Sequence, residues 1–275
     1  MRNILEVFNS NMLQGFHALV TGGAGGIGRQ VAIDLIKLGC KVSITSRKES
    51  KLDNAVEYIR QHASKDLLRG SLGNVKSESD VKNIVKSSRD HFGPINILIN
   101  LAGGQFLSKA EKIPLKAWKA VVDSNLTGSF LMSQNVFLAD MRGCGGNIIN
   151  VTSADMSTGT IPAMSHSSAS RAGVENLTKS LALEWAKYKV RVNCVAPGLI
   201  YTDLAESNYR VPVFEKFKDS VPIGAYGRPE DVSGIICFLC SPAAAFFTGE
   251  TIRVDGGSSI YTSLWRDSTD IFSKL

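Results

Sequence analysis

The chain has 275 residues, 44% of them hydrophobic and 20% charged, with a formal net charge of +6. That balance excludes a disordered chain, which combines few apolar residues with high net charge. No run approaches the roughly 18–20 uninterrupted apolar residues of a membrane-spanning helix. The opening MRNILEVFNSNMLQG has one Arg and a polar middle where a secretory signal would have an apolar stretch. Five scattered cysteines suit reduced thiols in an intracellular compartment. The positive charge permits an anionic partner. Without an aromatic-interleaved basic patch, a pI near 9.0 does not point to nucleic acid.

A polar arm over residues 1–14 is followed by one α/β domain over 15–262 and a tail over 263–275. Predicted strands in chain order are Phe16–Thr21, Lys41–Ser46, a weaker one near Arg69–Asn74, Asn96–Asn100, Asn147–Thr152, Arg191–Ala196 and Thr251–Asp255. Their β-branched runs lack strict alternation, as in strands buried on both faces. Amphipathic helices lie between them. In the first, Ile27, Val31, Leu35 and Leu38 recur at steps of three or four residues until Gly39 ends it. Strand alternating with helix predicts a Rossmann-type, doubly wound parallel sheet with helices on both faces.

The first strand runs through Thr21-Gly22-Gly23-Ala24-Gly25-Gly26-Ile27-Gly28 directly into that helix. Glycines there permit a tight turn and let backbone N–H groups approach a pyrophosphate at the helix N-terminus. A plain flexible turn is the alternative. The second strand ends Thr45-Ser46-Arg47-Lys48, with no acid before Glu49. An acid would accept from a ribose 2′-hydroxyl, whereas two cations and a hydroxyl suit a 2′-phosphate. The expected cofactor is therefore NADPH, although a solvated basic turn would read the same.

Across about residues 15–260 the chain resembles the short-chain dehydrogenase/reductase family. Thr21–Gly28 is similar to its cofactor loop, and Asn100-Leu101-Ala102-Gly103 to its Asn-Asn-Ala-Gly element with Leu at the second position. Asn125-Leu126-Thr127-Gly128 resembles the segment whose Asn supports the proton relay, and Ser153 falls at the catalytic serine. Pro197-Gly198-Leu199-Ile200-Tyr201-Thr202 resembles the segment whose Ile backbone and Thr hydroxyl hold the nicotinamide carboxamide. Thr248-Gly249 and Val254-Asp255-Gly256-Gly257 match the closing strand. The resemblance implies cofactor contacts from Thr21, Gly22, Gly26, Ile27, Gly28, Asn74, Asn100, Ala102 and Gly103, and from Pro197, Gly198, Ile200 and Thr202. It also implies a homotetramer built through the helices around 110–140 and 167–187.

One departure changes the expected chemistry. The family's Tyr-x-x-x-Lys pair, whose Tyr protonates a carbonyl oxygen, is replaced by Ser167 and Arg171, and no tyrosine in the chain has Lys four residues on. An aliphatic hydroxyl is a far weaker acid than a phenol, so ketone reduction loses its proton donor. Hydride addition to an α,β-unsaturated thioester instead makes an enolate, whose oxygen needs hydrogen-bond stabilisation. Asn125, Ser153 and His166 are the expected donors, with water as another source, and Arg171 replaces Lys on the ribose. Asn100–Leu107, the His166-Ser167 pair and Asn176–Trp185 resemble the peroxisomal trans-2-enoyl-CoA reductases of this family. The alternatives are 2,4-dienoyl-CoA reduction, 3-ketoacyl or carbonyl reduction, and silent NADPH binding.

Several other features bear on partners. Ser273-Lys274-Leu275 spells the tripeptide read by the peroxisomal import receptor, so a matrix location is expected. Lys109, Lys112, Lys116 and Lys119 recur as one helix face, either meeting coenzyme A phosphates or simply solvated. Gln105 and Phe106 follow the Asn100–Gly103 element, where family members shape the substrate pocket. Arg171, Glu175 and Lys179 form a ladder at four-residue steps that could be no more than exposed ion pairs. Cys237-Phe238-Leu239-Cys240 lacks the further ligands zinc needs and reads as core; His17, His62, His91 and His166 show no metal-ligand spacing.

Overall fold

The computed structural model describes residues 3–154, 163–202 and 221–260, so the tripeptide 273–275 lies outside the described residues. Among them, β1 (His17–Thr21), β2 (Lys41–Ser46), β3 (Leu68–Leu72), β4 (Ile97–Asn100), β5 (Gly146–Val151), β6 (Val190–Pro197) and β7 (Thr251–Val254) form one sheet. Its order is β3-β2-β1-β4-β5-β6-β7, every neighbouring pair parallel. The chain winds outward in one direction through β1, β2 and β3, then returns to the other side of β1 with β4. That reversal leaves a crevice between the carboxyl ends of β1 and β4.

The central strands are buried on both faces because their side chains alternate between two apolar clusters. Ala18, Val20, Ile97, Ile99 and Ile149 face one cluster, with α1 (Gly26–Lys37), α2 (Glu49–His62) and α8 (Pro229–Cys240). Leu19, Leu98 and Ile148 face the other, with α3 (Glu78–Phe92), α5 (Gly128–Val136) and α7 (Ser165–Trp185). Each fully buried Leu or Ile contributes about 1.5–3 kcal/mol. Cys237 and Cys240 are buried in the first cluster, as their apolar helix predicts. Among the described residues no group of His, Cys, Asp and Glu could hold a metal ion, and no helix is long and apolar enough to cross a membrane. Ile4 and Leu13, near the start of the chain, are also buried in the first cluster.

Helical chain runs from α4 (Leu115–Val122) through α5 to the short α6 (Arg142–Cys144), with π-helical turns at Asp123–Thr127 and Phe137–Met141. Such turns add a residue to the helix and often mark functional sites; the first carries Asn125. The four lysines expected on one helix face are not on one helix. Lys112 ends a 3-10 turn over Ala110–Lys112, Pro114 caps α4, and Lys116 and Lys119 alone lie on α4. Proline's missing N–H and fixed φ make it a helix start, which breaks the apparent periodicity.

Candidate active site

A cavity of about 260 Å³ opens at the carboxyl ends of β1, β4, β5 and β6. Ile27 at the start of α1 forms one wall, and Leu101, Ala102 and Gly103 after β4 another. Val151, Thr152 and Ser153 at the end of β5 face the Pro197–Ile200 segment and Thr202 after β6. Asn125, Arg171 and Gln105 complete the lining relevant to chemistry.

The glycine turn fits a dinucleotide by two independent features. Gly22 has φ +68°, and a Cβ there would stand 2.9 Å from Ala102 Cα, so this close approach of turn and β4 loop requires glycine. A Cβ on Gly28 would lie 2.5 Å from the Gly22 carbonyl oxygen. The residue that caps α1 is Gly25, which has no side chain to occupy the helix's first N–H groups. An uncapped N-terminus with its positive end beside the cavity is an anion site.

Not every expected contact lines this cavity. Thr21 Oγ1 accepts from Leu101 N and Ala102 N and donates to Ile99 O, tying β1 to the β4 loop. Asn100 is buried, its Nδ2 donating to Ser133 Oγ at 3.0 Å and Asn150 Oδ1 at 2.9 Å; Asn150 in turn donates to Thr178 Oγ1 at 2.8 Å. That chain joins the sheet to α5 and α7. Ser46, Arg47 and Lys48 lie at the carboxyl end of β2, where Ser46 Oγ accepts from Lys48 N and both cations are exposed. Asn74 follows β3, its Oδ1 accepting from Lys76 N.

On α7, Ser167 and Arg171 sit one turn apart. Arg171 Nη1 donates to Thr152 O at 2.8 Å, and its Nε donates to Ser167 Oγ at 3.2 Å. Ser167 is buried and donates onward to Gln105 Oε1 at 3.1 Å. Ser153, half-buried, lines the cavity next to Thr152. Tyr201, the tyrosine nearest the lining in sequence, stacks on Tyr226; among the described residues no tyrosine lines the cavity.

A family model described as enoyl-(acyl carrier protein) reductase matches residues 22–259. A 3-oxoacyl-[acyl-carrier-protein] reductase of Synechocystis is 37% identical over 247 residues, covering 89% of this chain and 97% of its own. Among solved structures, the citronellol catabolism dehydrogenase of Pseudomonas aeruginosa is 36% identical with TM-score 0.79, covering 92% of this chain and 98% of that one. A short-chain type dehydrogenase/reductase from Mycobacterium marinum is 31% identical with TM-score 0.84, covering 93% and 98%. The chain belongs to the short-chain dehydrogenase/reductase family.

As a short-chain dehydrogenase/reductase, it differs from its sequence-based expectations at two of the proposed donors. Both Asn125 amide N–H groups are committed, to Gly104 O at 3.2 Å and Ser170 Oγ at 3.0 Å, while its Oδ1 accepts from Gly104 N at 2.8 Å. Asn125 therefore braces the 103–105 loop against α7 rather than offering a donor to a ligand. His166 is completely buried, stacked 4.2 Å from the Phe106 ring, and does not line the cavity. Burial holds its imidazole below the ordinary histidine range, with the Phe106 backbone opposing. Outside the cavity lining, the ring is not placed to deliver a proton there.

Glu175 is not a plain rung of an exposed ladder either. It is half-buried, accepts from Thr152 Oγ1 at 3.4 Å, and burial raises its carboxyl above the usual range. The feature that sequence reasoning left open is Gln105, noted for following the Asn100–Gly103 element, where family members shape the substrate pocket. Its bond to Ser167 spans 62 residues, and no local pattern reports so distant a contact.

Proposed function

We propose that this short-chain dehydrogenase/reductase is an NADPH-dependent reductase that saturates the 2,3 double bond of trans-2-enoyl-CoA thioesters. The observation that supports this reading is the Ser167–Arg171 pair beside a cavity that no described tyrosine lines. Carbonyl reduction needs a tuned acid at the oxygen, worth about 10²–10⁴ in rate. Ser167 cannot act as one: its proton goes to Gln105 and its oxygen already accepts from Arg171.

When bound, the reduced nicotinamide supplies a hydride, which a conjugated thioester accepts at C3 with charge passing to its carbonyl oxygen. The protein's part is to bind and orient. The N-terminus of α1, with Gly22, Gly26 and Gly28, would hold the pyrophosphate, while Ser46, Arg47 and Lys48 would favour a 2′-phosphate. Arg171, anchored on Thr152 O, would hold the ribose with its guanidinium. Ser153 offers a hydroxyl to the developing enolate oxygen. Water entering the cavity then protonates C2.

The rival is 3-oxoacyl reduction, the activity printed in the name of the Synechocystis relative. Consumption of NADPH with a chain-length series of trans-2-enoyl-CoA and 2,4-dienoyl-CoA tests the proposal. Turnover of the mono-enoyl series supports it. Preference for dienoyl substrates transfers it to that substrate, and tight cofactor binding without turnover contradicts it. A peroxisomal location read from Ser273-Lys274-Leu275 belongs to the same proposal; a fluorescent fusion that stays cytosolic with this tripeptide at its end would refute that part.

A further inference from the structure

We propose that Lys109, Lys112 and Lys116 bind the phosphate groups of the substrate's coenzyme A moiety beside the cavity. The inference rests on the thioester reading for the identity of the substrate. Its test compares carriers of one acyl group, so it can fail independently of that reading.

The chain leaves the cavity wall at Gln105 and returns to it at Asn125, both of which are lining residues. Between them stand Lys109, Lys112, Lys116 and Lys119, with Glu111 as the one acid. All four lysines are exposed. The start of this excursion is tied down next to the cavity. Gly104 N donates to Asn125 Oδ1, Asn125 Nδ2 donates to Gly104 O, and Phe106 stacks on His166. Ser108 N then donates to Ala163 O at 2.9 Å, just ahead of α7, and Lys109 follows directly. Lys112 ends the 3-10 turn, and Lys116 lies in the first turn of α4, which packs against α7. The break at Pro114 removes a shared helix face but not the charge. Three cations remain within eight residues, on a segment anchored to the cavity wall at both ends.

These lysines differ from others on the surface. On α3, Lys82 pairs with Glu78 and Lys86 with Asp90, each at a four-residue step. Among the described residues, Lys109, Lys112 and Lys116 have no ion pair. Neighbouring like charges repel, and a bound anion removes that cost. Coenzyme A carries a 3′-phosphate and a diphosphate, which give each ammonium a charge-assisted acceptor. The site is also separate from the cofactor's. Ser46, Arg47 and Lys48 end β2, the lysine segment follows β4, and these two strands flank β1 on opposite sides. A dinucleotide and a coenzyme A thioester can therefore enter from different sides and meet at the carboxyl end of β1.

The test is a triple variant, Lys109→Glu with Lys112→Glu and Lys116→Glu. Lys119 is left in place because it stands one turn from the exposed Leu115 on α4. At saturating NADPH, kcat/KM is measured for the coenzyme A and pantetheine thioesters of the same trans-2-enoyl group, since pantetheine has no phosphate. In wild type the coenzyme A thioester is expected to lead by about 10-fold or more, each exposed pair contributing up to a few-fold. The triple variant is expected to lose that lead through a higher KM for the coenzyme A thioester. A salt series on wild type needs no variant. Between about 0.05 and 0.5 M NaCl the lead should shrink, because salt screens exposed charges. Lys82→Glu on α3 should keep the wild-type lead.

Equal kcat/KM for the two thioesters in wild type overturns the inference. So does a triple variant that keeps the lead, or a lead that salt does not reduce. An acyl carrier protein thioester preferred over the coenzyme A thioester, with that preference lost in the triple variant, also overturns it by making the partner an acidic protein. If wild type turns over only 3-oxoacyl thioesters, the enoyl reading fails, yet the same comparison of carriers made on those substrates still decides what the lysines bind.

Discussion

Arg171 lines the cavity one turn along α7 from Ser167. Held by Thr152 O and Ser167 Oγ, its guanidinium is aimed before any ligand arrives. Hydrogen bonds from a charged donor are worth about 1.5–3 kcal/mol, so Arg171→Ala should weaken NADPH binding about 10- to 100-fold. Arg171→Lys keeps the charge but not the planar two-point hold, and should fall between. Isothermal titration checks this, and an unchanged Kd in Arg171→Ala would show that the residue does not touch the cofactor. The substitution of the Tyr–Lys pair was legible from sequence because no tyrosine in the chain has Lys four residues on, and Ser167 and Arg171 stand four apart in the pair's place. The fate of the donors was not. Asn125 and His166 carry suitable groups, and only the fold reveals that one is fully bonded and the other buried.

At the scale of elements, the strands were legible to within a residue or two of their ends. Buried parallel strands need apolar, β-branched runs without strict alternation, as in Ile97–Asn100. The π-helical turns left no trace in the pattern, since one extra residue in a turn shifts the apolar period too little to notice. His17 shows how elements are joined by polar groups in the core. Its Nδ1 donates to Gly93 O at the end of α3, and its Nε2 accepts from Ser43 Oγ on β2. Burial holds this imidazole below its ordinary pKa of 6.5. The unfolded chain therefore binds more protons than the native one in the acid range. The resulting stability is complete above about pH 6.5 and is lost as the pH falls from there toward the lower folded value. The urea midpoint should drop between about pH 7.5 and pH 5, and the drop should shrink in His17→Gln. Identical pH slopes in the two proteins would contradict this.

At the scale of the molecule, several large apolar side chains lie bare on the helices expected to form subunit contacts. Leu115 on α4 is 67% exposed, Leu138 in the second π-helical turn 59%, and Leu183 on α7 83%. Exposed apolar groups on one set of helices favour association. Light scattering should give a mass near four chains of 29.7 kDa, and Leu138→Asp with Leu183→Asp should reduce it. A wild-type monomer would remove this expectation.

In the proposed function, a cavity with Ser167 and Arg171 in place of the Tyr–Lys pair saturates a conjugated bond in preference to reducing a ketone. That preference is tested most directly by wild-type kcat/KM with NADPH on trans-2-enoyl-CoA and 3-oxoacyl-CoA of equal chain length. The enoyl substrate is expected to be preferred by at least about 100-fold, the value of a missing general acid. Equal or faster reduction of the 3-oxoacyl thioester would contradict it.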